Sequence, residues 1–246
     1  MIQFLVAEMR QVFFWVFALF AMVANAGSVE DISSAVKRSG LTTPIERIAP
    51  SSLPGLYQVE LRGGRVLYSS PDGKYLMQGY LYEVQESGAR NLTAELTAKR
   101  LAEMVKSLPE SELVIYRAER ERAQVTIFTD VECPFCHKLH EELETLNSLG
   151  VTVRYLAYPR KGLDTEAYKT MVAVWCAKDR QAAMDEAVDG DELRKVDCVN
   201  PVAGQYELGQ FVGVQGTPTI IFGNGQLITG YRPAKELAEA AIAAGR

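Results

Sequence analysis

The chain is 246 residues long, 48% hydrophobic and 23% charged, a balance that fits a packed protein of one large or two smaller domains and argues against a disordered chain. Its formal net charge is -5 and it carries no block of Lys and Arg. The electrostatic footprint of a nucleic-acid binder is therefore missing, and small molecules or proteins are the expected partners.

The chain opens with an apolar element. Val12 to Val23 (VFFWVFALFAMV) is an uninterrupted hydrophobic run followed by Ala24-Asn25-Ala26, the pattern of a signal peptide with an AxA-type cleavage site. The run falls well short of the about 20 residues that a membrane-crossing helix needs, so residues 1–26 are expected to be a cleaved leader rather than an anchor. Glu8 cancels Arg10 ahead of the run, where positive charge is usual, and translation from Met9 would restore the usual pattern. Loss of the leader removes one Glu and one Arg and leaves the net charge unchanged.

Residues 27–90 read as a small first domain. SVEDISSAVKRSG predicts a short helix stopped by Gly40, with Val29, Ile32 and Val36 on one side. LYQVEL, RVLYSS and KYLMQGYLYEV are β-rich runs separated by Gly63-Gly64 and Pro71-Asp72-Gly73, so Leu56 to Val84 reads as an antiparallel meander. So small a piece is marginal alone, and its edge strand invites pairing; both favour dimerisation through this part. Residues 91–108 then read as a linker helix. Asn91 is its N-cap, Glu95 and Lys99 an i,i+4 pair, Leu101, Met104, Val105 and Leu108 its apolar stripe, and Pro109 its stop.

Residues 109–246 form the larger part. QVTIFTD reads as a strand, CPFCHKLHEELETLNSLG as one helix with Leu139, Leu143 and Leu146 on a common face, and VTVRYLAY as a second strand. A mostly helical stretch, Thr165 to Val212, precedes the strand TPTIIF, the turn Gly223-Asn224-Gly225, the strand QLITG and a closing helix from Pro233 to about Ala244. β-α-β, a helical insertion, then β-β-α is the thioredoxin layout.

Four cysteines allow three pairings, and export favours disulfides. Cys133 and Cys136 can close a local ring, which leaves Cys176 and Cys198 as a staple across the charged stretches AKDRQ and DGDELRK, contributing about 3 kcal/mol. The CxxC sits where a strand gives way to a helix. Unpaired N–H groups at a helix start stabilise a thiolate, so Cys133 is expected to be an exposed nucleophile and Cys136, in line with Leu139 and Leu143, an inward-facing resolving thiol. Pro134 suits the first helical turn. The letters CPFCH also match the attachment pattern of a c-type haem, with His137 as ligand, but that chemistry has no need of the flanking strands, Thr217-Pro218 or the second cysteine pair. A zinc site from Cys133, Cys136, His137 and His140 would crowd its ligands onto about two helical turns. His137 is otherwise a solvated helix residue whose charge helps hold the thiolate, and His140 a hydrogen-bonded core histidine. Glu132 adds a negative charge beside Cys133 or is simply solvated. In this layout Pro218 opens the strand beside the site and is characteristically cis, turning Thr217 towards an added peptide strand.

These residues resemble the periplasmic protein disulfide isomerases of the DsbC type over essentially the whole chain after the leader. The most specific stretches are FTDVECPFCHKLH, GVTVRYLAYPRKGLD, VWCAKDR and GVQGTPT, and PDGKYLMQGYLYEV resembles the dimerisation domain of that family. The resemblance implies an α+β, cystatin-like N-terminal dimerisation domain, a linker helix and an α/β thioredoxin-like C-terminal domain with a helical insertion, assembled as a V-shaped homodimer. It implies that Cys133 is the nucleophile and Cys136 the resolving cysteine, that Thr217 and Pro218 bind substrate, and that Cys176 and Cys198 form a structural disulfide. It implies no metal or organic cofactor; the partners are misfolded secreted proteins as substrates and a membrane thiol reductase of the DsbD type as electron donor. One departure stands at the centre. Isomerases of this family often have Gly-Tyr between the cysteines, whereas Pro134-Phe135 is similar to the DsbG-type branch, whose members act as chaperones and protect single oxidised cysteines. The intervening pair helps set the redox poise, so a DsbG-like chaperone and sulfenic-acid reductase is the alternative, with the second cysteine pair favouring the isomerase.

Overall fold

The computed structural model describes residues 26–245 apart from 192, 194, 195 and 197, so the expected hydrophobic leader lies outside the described residues. The chain divides into two compact units, one formed by the segment ending at Arg62 with Val66–Tyr80, the other by Gly63–Arg65 with Leu81–Arg246. No described helix is long and apolar enough to cross a membrane.

In the first unit, helix α1 (Ala26–Arg38) buries Ile32 and Val36, one helical turn apart, and leaves Val29 exposed. Four antiparallel strands, β1 (Ile45–Pro50), β2 (Tyr57–Leu61), β3 (Val66–Ser69) and β4 (Leu76–Met77), pair in chain order. Val59, Leu61 and Leu67 close a small core against the helix. Two features depart from the sequence expectation. Strand β1 is additional: its charged Glu46 and Arg47 and terminal Pro50 disguise it, yet an edge strand pairs on one side only and tolerates them, while Ile45 and Ile48 still reach the core. The run KYLMQGYLYEV is not one strand. It contributes β4, breaks around Gly79, and continues as β5 (Tyr82–Gln85), which pairs with β6 (Gly88–Asn91) as a separate hairpin.

The second unit starts with that hairpin. Helix α2 (Leu92–Ser107) is capped by Asn91, whose side chain accepts from the Ala94 N–H. Glu95 does not use Lys99; Arg90, on the preceding strand, binds it at 2.7 Å instead. Behind α2 lies a five-stranded sheet of β7 (Val114–Tyr116), β8 (Ala123–Thr129), β9 (Val151–Ala157), β10 (Thr219–Phe222) and β11 (Leu227–Thr229), in the order β11-β10-β8-β9-β7. Only the central pair, β8 with β9, is parallel. All seven residues of β9 are buried, as happens when both faces of a strand are covered.

The two faces carry separate cores. On one, Val125, Ile127, Val153, Tyr155 and Ile220 meet helices α3 (Pro134–His140), α4 (Leu143–Ser148), α5 (Glu166–Cys176), α6 (Arg180–Asp189) and α8 (Ala234–Ala244). On the other, Phe128, Leu156 and Ile221 meet Leu101 and Val105 of α2 and Leu208 of α7 (Val202–Val212). The expected single helix after the CxxC is broken between His140 and Leu143. Glu141 still bonds back to His137 as in an α-helix, Glu142 bonds to Leu139 in a tighter turn, and the Glu142 carboxylate accepts from the Tyr231 hydroxyl and the Ala234 N–H at the start of α8. Leu139, Leu143 and Leu146 all remain buried across the break. A disulfide joins Cys176, at the end of α5, to Cys198 beyond α6.

Candidate active site

The site forms where β8 leaves the sheet. Asp130, Val131 and Glu132 make a turn, closed by a hydrogen bond from the Cys133 N–H to the Asp130 carbonyl, and Cys133 becomes the N-cap of α3 with Pro134 as its first helical residue. Cys133 and Cys136 are both unpaired thiols, and both are buried, at 1% and 3% exposure. This corrects the expectation of an exposed Cys133. Its sulfur is turned inward, 3.2 Å from the Thr217 carbonyl, to which it donates while protonated; ionisation removes that bond and frees the sulfur to meet a substrate.

The environment drives the two thiols apart. Cys133 is lowered to about 5 from an ordinary value of 9.0, first by a hydrogen bond from Cys136, then by the Thr217 side chain and the backbone N–H groups of Cys136 and Phe135, against the opposing effect of burial. Cys136 is raised, first by burial and then by its bond to Cys133, although Thr129 and the Asp130 backbone oppose this. One thiol is therefore held as a thiolate at neutral pH and its neighbour as a protonated donor.

The Thr217 carbonyl lies against the same thiol although 84 residues separate Cys133 from Thr217. The peptide bond between Thr217 and Pro218 is cis. The Pro218 carbonyl accepts from the Gly230 N–H, tying this turn to the end of β11. Phe135, between the cysteines, is 60% exposed.

Sequence reasoning passed over an ion pair directly beneath this turn. Asp130 is buried, and its Oδ1 accepts from the Glu132 N–H, while Oδ2 accepts from the backbone N–H and Nε of Arg160. Arg160 is raised, chiefly by that bond and further by the Cys133 charge. Lys161 binds the Glu132 carboxylate at 2.8 Å, so Glu132 is paired rather than free beside the thiolate.

Both histidines are engaged by other groups. Nε2 of His137 lies 2.5 Å from the Val131 carbonyl, and must carry the proton there, so this residue is half-buried and bonded rather than solvated. Nε2 of His140 lies 3.0 Å from Asp185 Oδ1, with its ring stacked on Tyr155 and met edge-on by Tyr116. Among the described residues no group of three or more His, Cys, Asp and Glu side chains is gathered to hold a metal ion.

Comparison with known proteins gives the same chemistry. Residues 109–244 match the model of a thioredoxin-like domain, and residues 23–94 match the disulfide bond isomerase protein N-terminal domain. The thiol:disulfide interchange protein DsbC of Escherichia coli K12 is 38% identical over 228 residues, covering 92% of this chain and 93% of that protein. The DsbC proteins of Dickeya dadantii and Haemophilus influenzae are 39% and 38% identical, over 84% and 92% of this chain and 83% and 96% of their own lengths. With both domains matched and the similarity running nearly end to end, the chain belongs to the DsbC family of thiol:disulfide interchange proteins, and it is a thiol–disulfide oxidoreductase.

Proposed function

We propose that this protein rearranges non-native disulfides of exported proteins in the periplasm, as a homodimer, through a mixed disulfide on Cys133. The Cys133 thiolate attacks one sulfur of the substrate disulfide; a bond to Cys133 forms and the other substrate sulfur leaves as a thiolate. A second substrate thiolate then displaces Cys133, giving a rearranged substrate and the reduced enzyme. Alternatively Cys136 displaces it, giving a reduced substrate and a Cys133–Cys136 disulfide. A membrane thiol reductase of the DsbD type returns that disulfide to the dithiol. Thr217 and Pro218 bind the substrate chain beside the thiolate, and Cys176–Cys198 is a structural staple.

The observation that carries this reading is the opposite displacement of the two thiols at one helix start. An ionised Cys133 is ready to attack, and a protonated Cys136 is slow to resolve, which gives substrate thiols time to exchange. Two surfaces support the rest. The exposed Phe135 can touch an unfolded chain, as chaperone activity requires. Strand β4 ends its sheet with Tyr75 and Met77 exposed beside it, an open edge suited to pairing with a second copy.

The test is recovery of activity from scrambled ribonuclease by the reduced protein. Cys133→Ala should abolish recovery while still suppressing aggregation of a denatured substrate; full recovery by that variant would sink the assignment. Sedimentation as a monomer at micromolar concentration would remove the homodimer.

A further inference from the structure

Two buried polar atoms below the CxxC have no hydrogen-bond partner: Nδ1 of His140 and the hydroxyl of Tyr155. The two rings stack, with centroids 6.0 Å apart and planes 17° from parallel, and the His140 side chain is only 12% exposed. Asp185 fixes the tautomer. Its carboxylate can only accept, so the His140 proton is on Nε2 and the lone pair is on Nδ1, facing the interior. A carboxylate behind one imidazole nitrogen and a bare lone pair on the other is the constitution of a general base. His140 is one helical turn after Cys136 on α3, which puts the two on a common face with Cβ atoms roughly 5–6 Å apart. Tyr155 stacks on one side of the His140 ring and Asp185 of α6 binds its Nε2, so the cluster runs from the core beside the sheet to the surface of α6.

We propose that His140, backed by Asp185, is the general base that removes the proton of Cys136 when this thiol resolves the mixed disulfide. The proposal rests on Cys133 being the nucleophile. As the Cys136 sulfur bonds to the Cys133 sulfur, the bond from Cys133 to the substrate sulfur breaks and its electron pair leaves with the substrate thiolate. The Cys136 proton passes to Nδ1, forming an imidazolium held by Asp185. The Asp185 side chain is 53% exposed, so water can take up the proton there. Such a base has work to do, because burial keeps Cys136 protonated. The groups facing His140 are Asp185 and Asp189 of α6, His137 of its own helix, Tyr116 of β7 and Tyr155 of β9. Burial lowers His140 more than the two aspartates raise it, so it is neutral and able to accept at neutral pH.

The reduced protein mixed with 5,5′-dithiobis(2-nitrobenzoate) separates the steps. The first release of the coloured thiolate reports attack by Cys133 and is second order; the next, first order, reports attack by Cys136 on the mixed disulfide. His140→Gln should leave the first phase unchanged and slow the second by about 100-fold. Asp185→Asn should slow the second phase by less. In the parent protein the second rate should fall as acid protonates the imidazole; in His140→Gln it should instead rise with hydroxide throughout. If His140→Gln does not fold, selective slowing of the second phase in Asp185→Asn supports the proposal. An unchanged second phase in the folded variants, or equal slowing of both phases, overturns it. A parent protein with no first phase would overturn the Cys133 reading beneath it.

Discussion

The Arg160 guanidinium binds the buried Asp130 carboxylate at 2.8 Å, and so ties the loop after β9 to the turn that delivers Cys133. The carboxylate side chain is 2% exposed and the arginine 37%, so the pair is only partly screened by water. Arg160→Met leaves Asp130 with two backbone donors and no countercharge. The expected loss is about 2 kcal/mol, below the usual cost of orphaning a fully buried charge because those donors persist. Urea midpoints of the oxidised proteins measure it, and an unchanged midpoint would remove the pair from the account of what holds the turn.

The low Cys133 value links redox state to pH. A thiol whose folded value lies near 5 and whose unfolded value is about 8.5 contributes stability that is fully present above the unfolded value and is lost as pH falls towards the folded one. The reduced protein should therefore gain stability relative to Cys133→Ala between about pH 5 and 8.5. The raised Cys136 acts in the opposite sense only above the ordinary thiol range. Urea midpoints of the two reduced proteins across that window give the difference, and a flat difference would contradict the shift. Alkylation of Cys133 should titrate near 5 as well. Cys136→Ala should move that midpoint up most, since its hydrogen bond is the largest cause, and Thr217→Val should move it up by less.

Much of this arrangement was legible because period and punctuation carry it. Asn91 caps α2 and Leu108-Pro109 ends it, and the spacing of Leu139, Leu143 and Leu146 survives even where their helix breaks. What escaped was decided by tertiary contact. β7 is three residues long, too short for alternation to show, and the break after His140 answers to Tyr231 and Ala234, about 90 residues away. The inward turn of Cys133 depends on the Thr217 carbonyl, which nothing near the CxxC announces. The Asp130–Arg160 pair did have a signal. In parallel neighbours the residues just past the C-terminal ends lie side by side, and here β8 is followed by Asp130 and Glu132 while β9 is followed by Arg160 and Lys161.

The Cys176–Cys198 disulfide closes a loop with a sequence separation of 22, and neither cysteine is among the groups that set the Cys133 thiol. Replacing both cysteines by alanine should cost about 3 kcal/mol, from the freedom returned to the unfolded chain. The alkylation midpoint of Cys133 should not move. A shifted midpoint would show that the staple shapes the site and not only the fold.

Two glycines of one helix should respond to alanine with opposite signs. Gly204 and Gly209 both lie in α7, but a Cβ at Gly204 meets nothing within 4 Å whereas one at Gly209 overlaps the Tyr158 ring. That ring has little freedom to move aside: its hydroxyl donates to the Val214 carbonyl and accepts from the Gln210 side chain, Phe128 meets it edge-on, and Tyr206 stacks on it. Gly204→Ala should stabilise the protein by up to about 1 kcal/mol through helix propensity. Gly209→Ala gains the same propensity but must displace a held ring, at a cost of about 1–3 kcal/mol, so the net change should be destabilising. Thermal midpoints of the two variants decide it. A Gly209→Ala protein as stable as Gly204→Ala would mean that α7 can shift away from β9 at little cost, and that the close approach of helix and sheet is not what fixes this side of the core.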